Sequence, residues 1–172
     1  MKRTCRVGAV VGILAIVTAC GSSPASPSLA PGGPGGAFAA GGIRTVPLKG
    51  TLEGTVSVTP LAPPFVSVVI TAGGSATALG RFTLQVPHTV NFATATGNGT
   101  FTFTAANGDR LTASFTGLAN TSQPIFSIEE HATITGGTGR FAGATGTFTA
   151  HRLFDPVAQT TTGTFEGTVT LN

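Results

Sequence analysis

A chain of 172 residues has the size of one domain, and a composition of 41% hydrophobic and 9% charged residues, with 25 Gly, 12 Phe and no Trp or Tyr, excludes charge-driven disorder. About 30 Thr, together with many Val, Ile and Phe, favour strands over helices. The formal charge of +3 falls to zero once Lys2, Arg3 and Arg6 are set aside with the export segment described next. Six basic then face six acidic residues, and no basic field remains to hold nucleic acid.

Residues 1–19 read as an export signal. A basic start is followed by the apolar run Val7 to Ala19, whose 13 residues suit a signal-peptide core and are too few to span a bilayer. The run ends Val17-Thr18-Ala19-Cys20, which resembles the bacterial lipobox. That resemblance implies cleavage before Cys20 and acylation of its thiol, making the lipid bilayer a partner and the cell envelope the destination. Gly21 rather than Asp after the cysteine implies the outer membrane in a host that has one. With Cys5 removed and Cys20 acylated, disulfides, thiolate metal sites and cysteine nucleophiles are excluded from the folded part.

Residues 20–42 continue as an uncharged run of Gly, Pro, Ser and Ala with no periodic apolar face. They read as a tether spanning roughly 25 Å as a flexible coil. The folded domain is expected over 43–172. From Ile43 the apolar period becomes two: Leu48, Leu52, Val56 and Val58 share one parity, with Lys49, Thr51, Glu53 and Thr55 on the other. The same test predicts further strands near 65–72, 75–86, 88–96, 98–106, 109–118, 124–135, 145–154 and 161–171. Asn107-Gly108 predicts a hairpin closed by a type I′ turn. The segments Gly50-Thr51-Leu52-Glu53-Gly54-Thr55-Val56 and Gly163-Thr164-Phe165-Glu166-Gly167-Thr168-Val169 echo each other, so the first and last strands are alike. Eight or nine antiparallel strands without a cysteine staple are most stable if the edges pair. The expected fold is a closed all-β barrel of eight, or nine, antiparallel strands, with a β-sandwich as the alternative.

The string Gly136-Gly137-Thr138-Gly139-Arg140-Phe141-Ala142-Gly143-Ala144, leading to Gly146-Thr147-Phe148, resembles the loop and strand of allene oxide cyclase-like and dirigent-like barrels and of small exported bacterial proteins of that fold. The resemblance implies an eight-stranded barrel whose lumen can hold a small hydrophobic ligand. Thr145 stands where the dirigent pattern has Arg, so no catalytic residue is carried over. Gly136, Gly137, Gly139, Arg140 and Phe141 are read as a structural loop, and the absence of a following Lys and helix excludes a phosphate loop.

Three polar residues break the inward parity. Glu130 aligns with Phe126, Ile128, Ala132 and Ile134, Arg152 aligns with Phe148, Ala150 and Phe154, and His88 aligns with Val90 and Phe92. A carboxylate paired with a guanidinium is the cheaper way to bury either, so Glu130 and Arg152 form a candidate lumen cluster with His88. His131 and His151 fall on the outer parity without metal-ligand spacing, and no metal or cofactor is implied. Three functions fit: a tethered barrel that binds a small apolar molecule or a surface partner, an isomerase or cyclase working in the lumen, and a structural envelope module suggested by outward Thr100, Thr102, Thr104 and Thr160 to Thr162.

Overall fold

Alternating inward and outward side chains run through eight strands, β1 (Arg44–Pro60), β2 (Phe65–Ala76), β3 (Gly80–Asn91), β4 (Thr96–Ala105), β5 (Arg110–Asn120), β6 (Phe126–Gly137), β7 (Thr145–Asp155) and β8 (Thr160–Leu171). The structure, a computed structural model, describes residues 42–172. The export segment, Cys20 and the tether through residue 41 lie outside the described residues. Each strand pairs antiparallel with the next and β1 pairs with β8, so the sheet closes into a barrel and the sandwich alternative is set aside.

The echo between the terminal strands closes the seam. Because β1 and β8 run antiparallel, three of the four repeat glycines face a large side chain of the partner strand, Gly50 opposite Phe165, Gly163 opposite Leu52 and Gly167 opposite Leu48, while Gly54 faces Thr161. A Cβ on Gly50 would lie 2.6 Å from the Phe165 ring, so the aromatic side chain takes the space the glycine leaves.

Two details of the expected strands are corrected. The segments 75–86 and 88–96 are one strand, β3, and β2 runs on to Ala76. Gly73-Gly74 is strand rather than turn, and Gly74 sits opposite Phe82, whose ring lies 2.9 Å from where a Cβ would be. Pro87 does not end β3 either. It pairs with Val69 on β2, and the ladder to β4 skips from Gln85 opposite Thr102 to His88 opposite Gly99 where proline has no N–H to give. The hairpin at Asn107-Gly108 is present, but its turn is not type I′. Only Gly108, at φ +88°, adopts positive φ, its N–H donates to the Ala105 carbonyl at 2.9 Å, and Asn107 Oδ1 instead accepts from the Asp109 N–H.

The two ends of the barrel differ. At the end where β1 begins, the 138–144 segment folds over the opening. Phe141 is fully buried there, Arg140 Nη2 donates to the Leu79 carbonyl at 3.0 Å, and the Asp109 carboxylate fills the space beside Gly139, which holds φ +57°. The loop thus plugs one end. Above the plug the lumen is filled by a column of rings. Phe82 and Phe103 lie 5.2 Å apart, Phe103 and Phe165 5.4 Å, Phe101 and Phe148 5.4 Å, and Phe101 and Phe115 4.6 Å. Edge and tilted contacts of this kind add to the burial of apolar area.

Candidate functional site at the open mouth

Beyond Phe115 the column stops and the three polar residues begin. Glu130 on β6 and Arg152 on β7 are not directly opposed. Arg152 pairs with Ile128 and Glu130 with Ala150, so the long guanidinium reaches diagonally over the small Ala150. The contact is a bidentate fork: Nε donates to Oε2 at 2.8 Å and Nη2 to Oε1 at 2.5 Å. Nη1 donates to Thr161 Oγ1 at 3.2 Å, and that hydroxyl donates to the Leu153 carbonyl at 2.8 Å. Glu130 is 1% exposed and Arg152 4%, so the pair is a satisfied core pair rather than a rim contact. Room for it comes from the neighbouring strands: Gly117 lies opposite Glu130 and Gly163 opposite Arg152, and a Cβ on either would come within 2.8 Å of the charged residue's Cγ.

Thr161 corrects the expectation that Thr160 to Thr162 all face outward. It is 1% exposed and belongs to the buried network. Its parity with Phe165 and Val169 was present in the sequence, masked by the run of three threonines.

His88 lies inside β3, half-buried, opposite Gly99 and edge-on to Phe115 with ring centroids 5.6 Å apart. Its Nδ1 is 3.0 Å from the Val86 carbonyl. A carbonyl only accepts, so the neutral ring carries its hydrogen on Nδ1. Burial of the ring, the largest effect, holds its pKa below the usual 6.5. The Val86 carbonyl and the Glu130 carboxylate oppose that shift, and the Arg152 cation adds to it.

Around these groups a cavity of about 90 Å³ opens at the end opposite the plug, lined by Val56, Val66, Val68, Phe115, Ile128 and Phe154 with His88, Glu130 and Arg152 at its floor. The turns bordering it carry apolar side chains into solvent. Leu61 and Phe65 bracket the β1–β2 turn, Phe92 stands in the β3–β4 turn at 60% exposure, Ile125 precedes β6, and Val157 in the β7–β8 turn is 93% exposed. Sequence reasoning passed over this crown, because single apolar residues in turns carry no period.

The remaining expected residues lie elsewhere. Gly139, Arg140 and Phe141 lie in the plug, far from the mouth, whereas Gly136 and Gly137, expected in the same loop, are the last residues of β6, paired with Thr112 and Leu111. His131 and His151 are on the outer wall, 3.1 and 3.6 Å from the two oxygens of Glu129. Among the described residues no group of three or more His, Cys, Asp and Glu is placed to hold a metal ion.

No protein-family model matches the chain, and no curated protein matches it. Solved structures do, two dirigent proteins among them. The chain is similar to the pterocarpan synthase dirigent protein GePTS1 at a TM-score of 0.55 and 14% identity, covering 76% of this chain and 86% of that one. It is similar to the pterocarpan synthase dirigent protein PsPTS1 at a TM-score of 0.51 and 16% identity, covering 74% and 94%. The barrel therefore has the fold of dirigent proteins. Identity this low carries the architecture and not the chemistry.

Proposed function

We propose that this protein is an exported lipoprotein, anchored through acylated Cys20 in the cell envelope, whose barrel captures a small apolar ligand at its open mouth. The observation that carries the reading is the asymmetry of the barrel. One end is sealed by Phe141 and its loop, while the other presents an apolar cavity rimmed by exposed apolar side chains. β1 begins at the sealed end, so the mouth lies at the end of the barrel away from Arg44.

Capture fits better than turnover. The aromatic column fills the barrel behind the mouth, and Glu130 and Arg152 are saturated by each other and by Thr161. A general acid or base needs a free proton site near the reacting atom, which this pair does not offer.

Anchoring is tested by Cys20→Ala in the native host: the variant is expected in the soluble fraction, and retention at the membrane would overturn the lipid anchor. Capture is tested by native mass spectrometry of protein purified from that host, with a bound small molecule expected. If the mass is that of the acylated chain alone, and a panel of apolar probes leaves the mouth residues unshifted in NMR titration, the structural-module reading takes its place.

A further inference from the structure

His88 brings to the mouth a hydrogen-bonding atom with no partner. Its Nδ1 hydrogen is committed to the Val86 carbonyl, whereas Nε2 makes no hydrogen bond among the described residues. Among the described residues every buried side-chain nitrogen and oxygen has a partner, so the unpaired Nε2 is not a buried atom, and His88 lines the cavity. The Cδ2 edge of the ring lies 3.8 Å from where a Cβ on Gly97 would be, and the bare backbone of Gly97 leaves that edge uncovered. Arg152 and Glu130 neutralise each other below it, so the floor offers neither a free cation for a carboxylate nor a free anion for an amine.

The cavity sets the size of what enters. Ligand pockets run from about 300 to 1,000 Å³, several times the roughly 90 Å³ of this cavity. One end of a molecule fits and the remainder must lie outside, where Leu61, Phe65, Phe92, Ile125 and Val157 offer apolar surface. Resting on the capture reading, we propose that the ligand is an uncharged apolar alcohol, its hydroxyl hydrogen donated to His88 Nε2 and its hydrocarbon part laid across the crown. A neutral imidazole nitrogen accepts a hydroxyl hydrogen and gives nothing to an ether or an alkane.

The test uses three probes of matched length, 1-octanol, its methyl ether analogue 1-methoxyheptane, and octanoate, titrated at pH 7.5 into the barrel domain within the full soluble Cys20→Ala chain and followed by amide NMR shifts. The alcohol is expected to bind about five- to tenfold more tightly than the ether, the worth of one neutral hydrogen bond, and octanoate more weakly than both. In His88→Phe the alcohol-to-ether ratio is expected to fall to about one while ether binding persists. Equal affinity of alcohol and ether for the unaltered protein would overturn the hydroxyl assignment and leave capture standing. Preference for octanoate would overturn it in favour of an anion site, and failure of every probe to bind would overturn capture itself. Because the first comparison needs no substitution in the barrel, it stands even if His88→Phe does not fold.

Discussion

Glu130 and Arg152 sit where either charge alone would be expensive. Their ion pair is nearly solvent-free and every guanidinium nitrogen has an acceptor, so the network is tolerated because it is complete. Glu130→Gln leaves a buried cation without its counter-charge and is expected to lower stability by about 3 kcal/mol or more, read from urea unfolding. Replacing both, Glu130→Leu with Arg152→Met, is expected to restore stability to within about 1 kcal/mol of the original or above it, since neither desolvation cost remains. His88 adds a pH dependence of known sign. Its folded pKa lies below the unfolded value near 6.5, so the unfolded chain takes up the proton first as pH falls. Stability conferred at neutral pH is therefore lost on acidification below 6.5, levelling once the folded ring is protonated too. In His88→Gln this part of the pH profile is expected to flatten, which comparison of urea midpoints between pH 7.5 and 5 checks against the exposed His131 and His151 common to both proteins.

At the scale of strands, glycine placement decides where bulk can go. Gly163 has the His151 carbonyl 2.5 Å and the Arg152 Cγ 2.8 Å from where a Cβ would stand, whereas the nearest atom to a Cβ on Gly73 is 3.5 Å away. Gly163→Ala is expected to cost about 1 to 3 kcal/mol in thermal or urea unfolding through displaced backbone, and Gly73→Ala to stay within about 0.5 kcal/mol. The same contrast explains which strands were legible. β1, β4, β5 and β7 show a clean alternation of period two, and their expected spans lie within a few residues of those observed. β2 and β3 were misdivided because Gly73-Gly74 and Pro87 are turn-formers by chemistry but strand residues here, one making room for Phe82 and the other sitting where the ladder skips.

For the molecule as a whole, closure is what removes the edges. β1 pairs with β8 along its first twelve residues, from Arg44 opposite Leu171 to Thr55 opposite Thr160, and no disulfide is available to substitute. A chain ending at Gln159 exposes the edges of β1 and β7 and is expected to associate rather than unfold cooperatively as a monomer. Adding a peptide of residues 160–172 is expected to restore a monomer with a single thermal transition, measured by light scattering and circular dichroism. A stable monomer without the peptide would show that the seam is dispensable.

The linear chain by itself determined the all-β class, the antiparallel succession of strands, the likeness of the terminal strands and the inward parity of His88, Glu130 and Arg152, because side-chain parity along a strand is a local property. The tertiary structure decided the rest. That the sheet closes, which glycine lies opposite which large residue, that Arg152 reaches diagonally to Glu130 and sideways to Thr161, that the 138–144 loop seals one end, and that scattered turn residues gather into one apolar crown all depend on register across strands. Register is set by the sum of pairings around the whole barrel, and no stretch of sequence contains it.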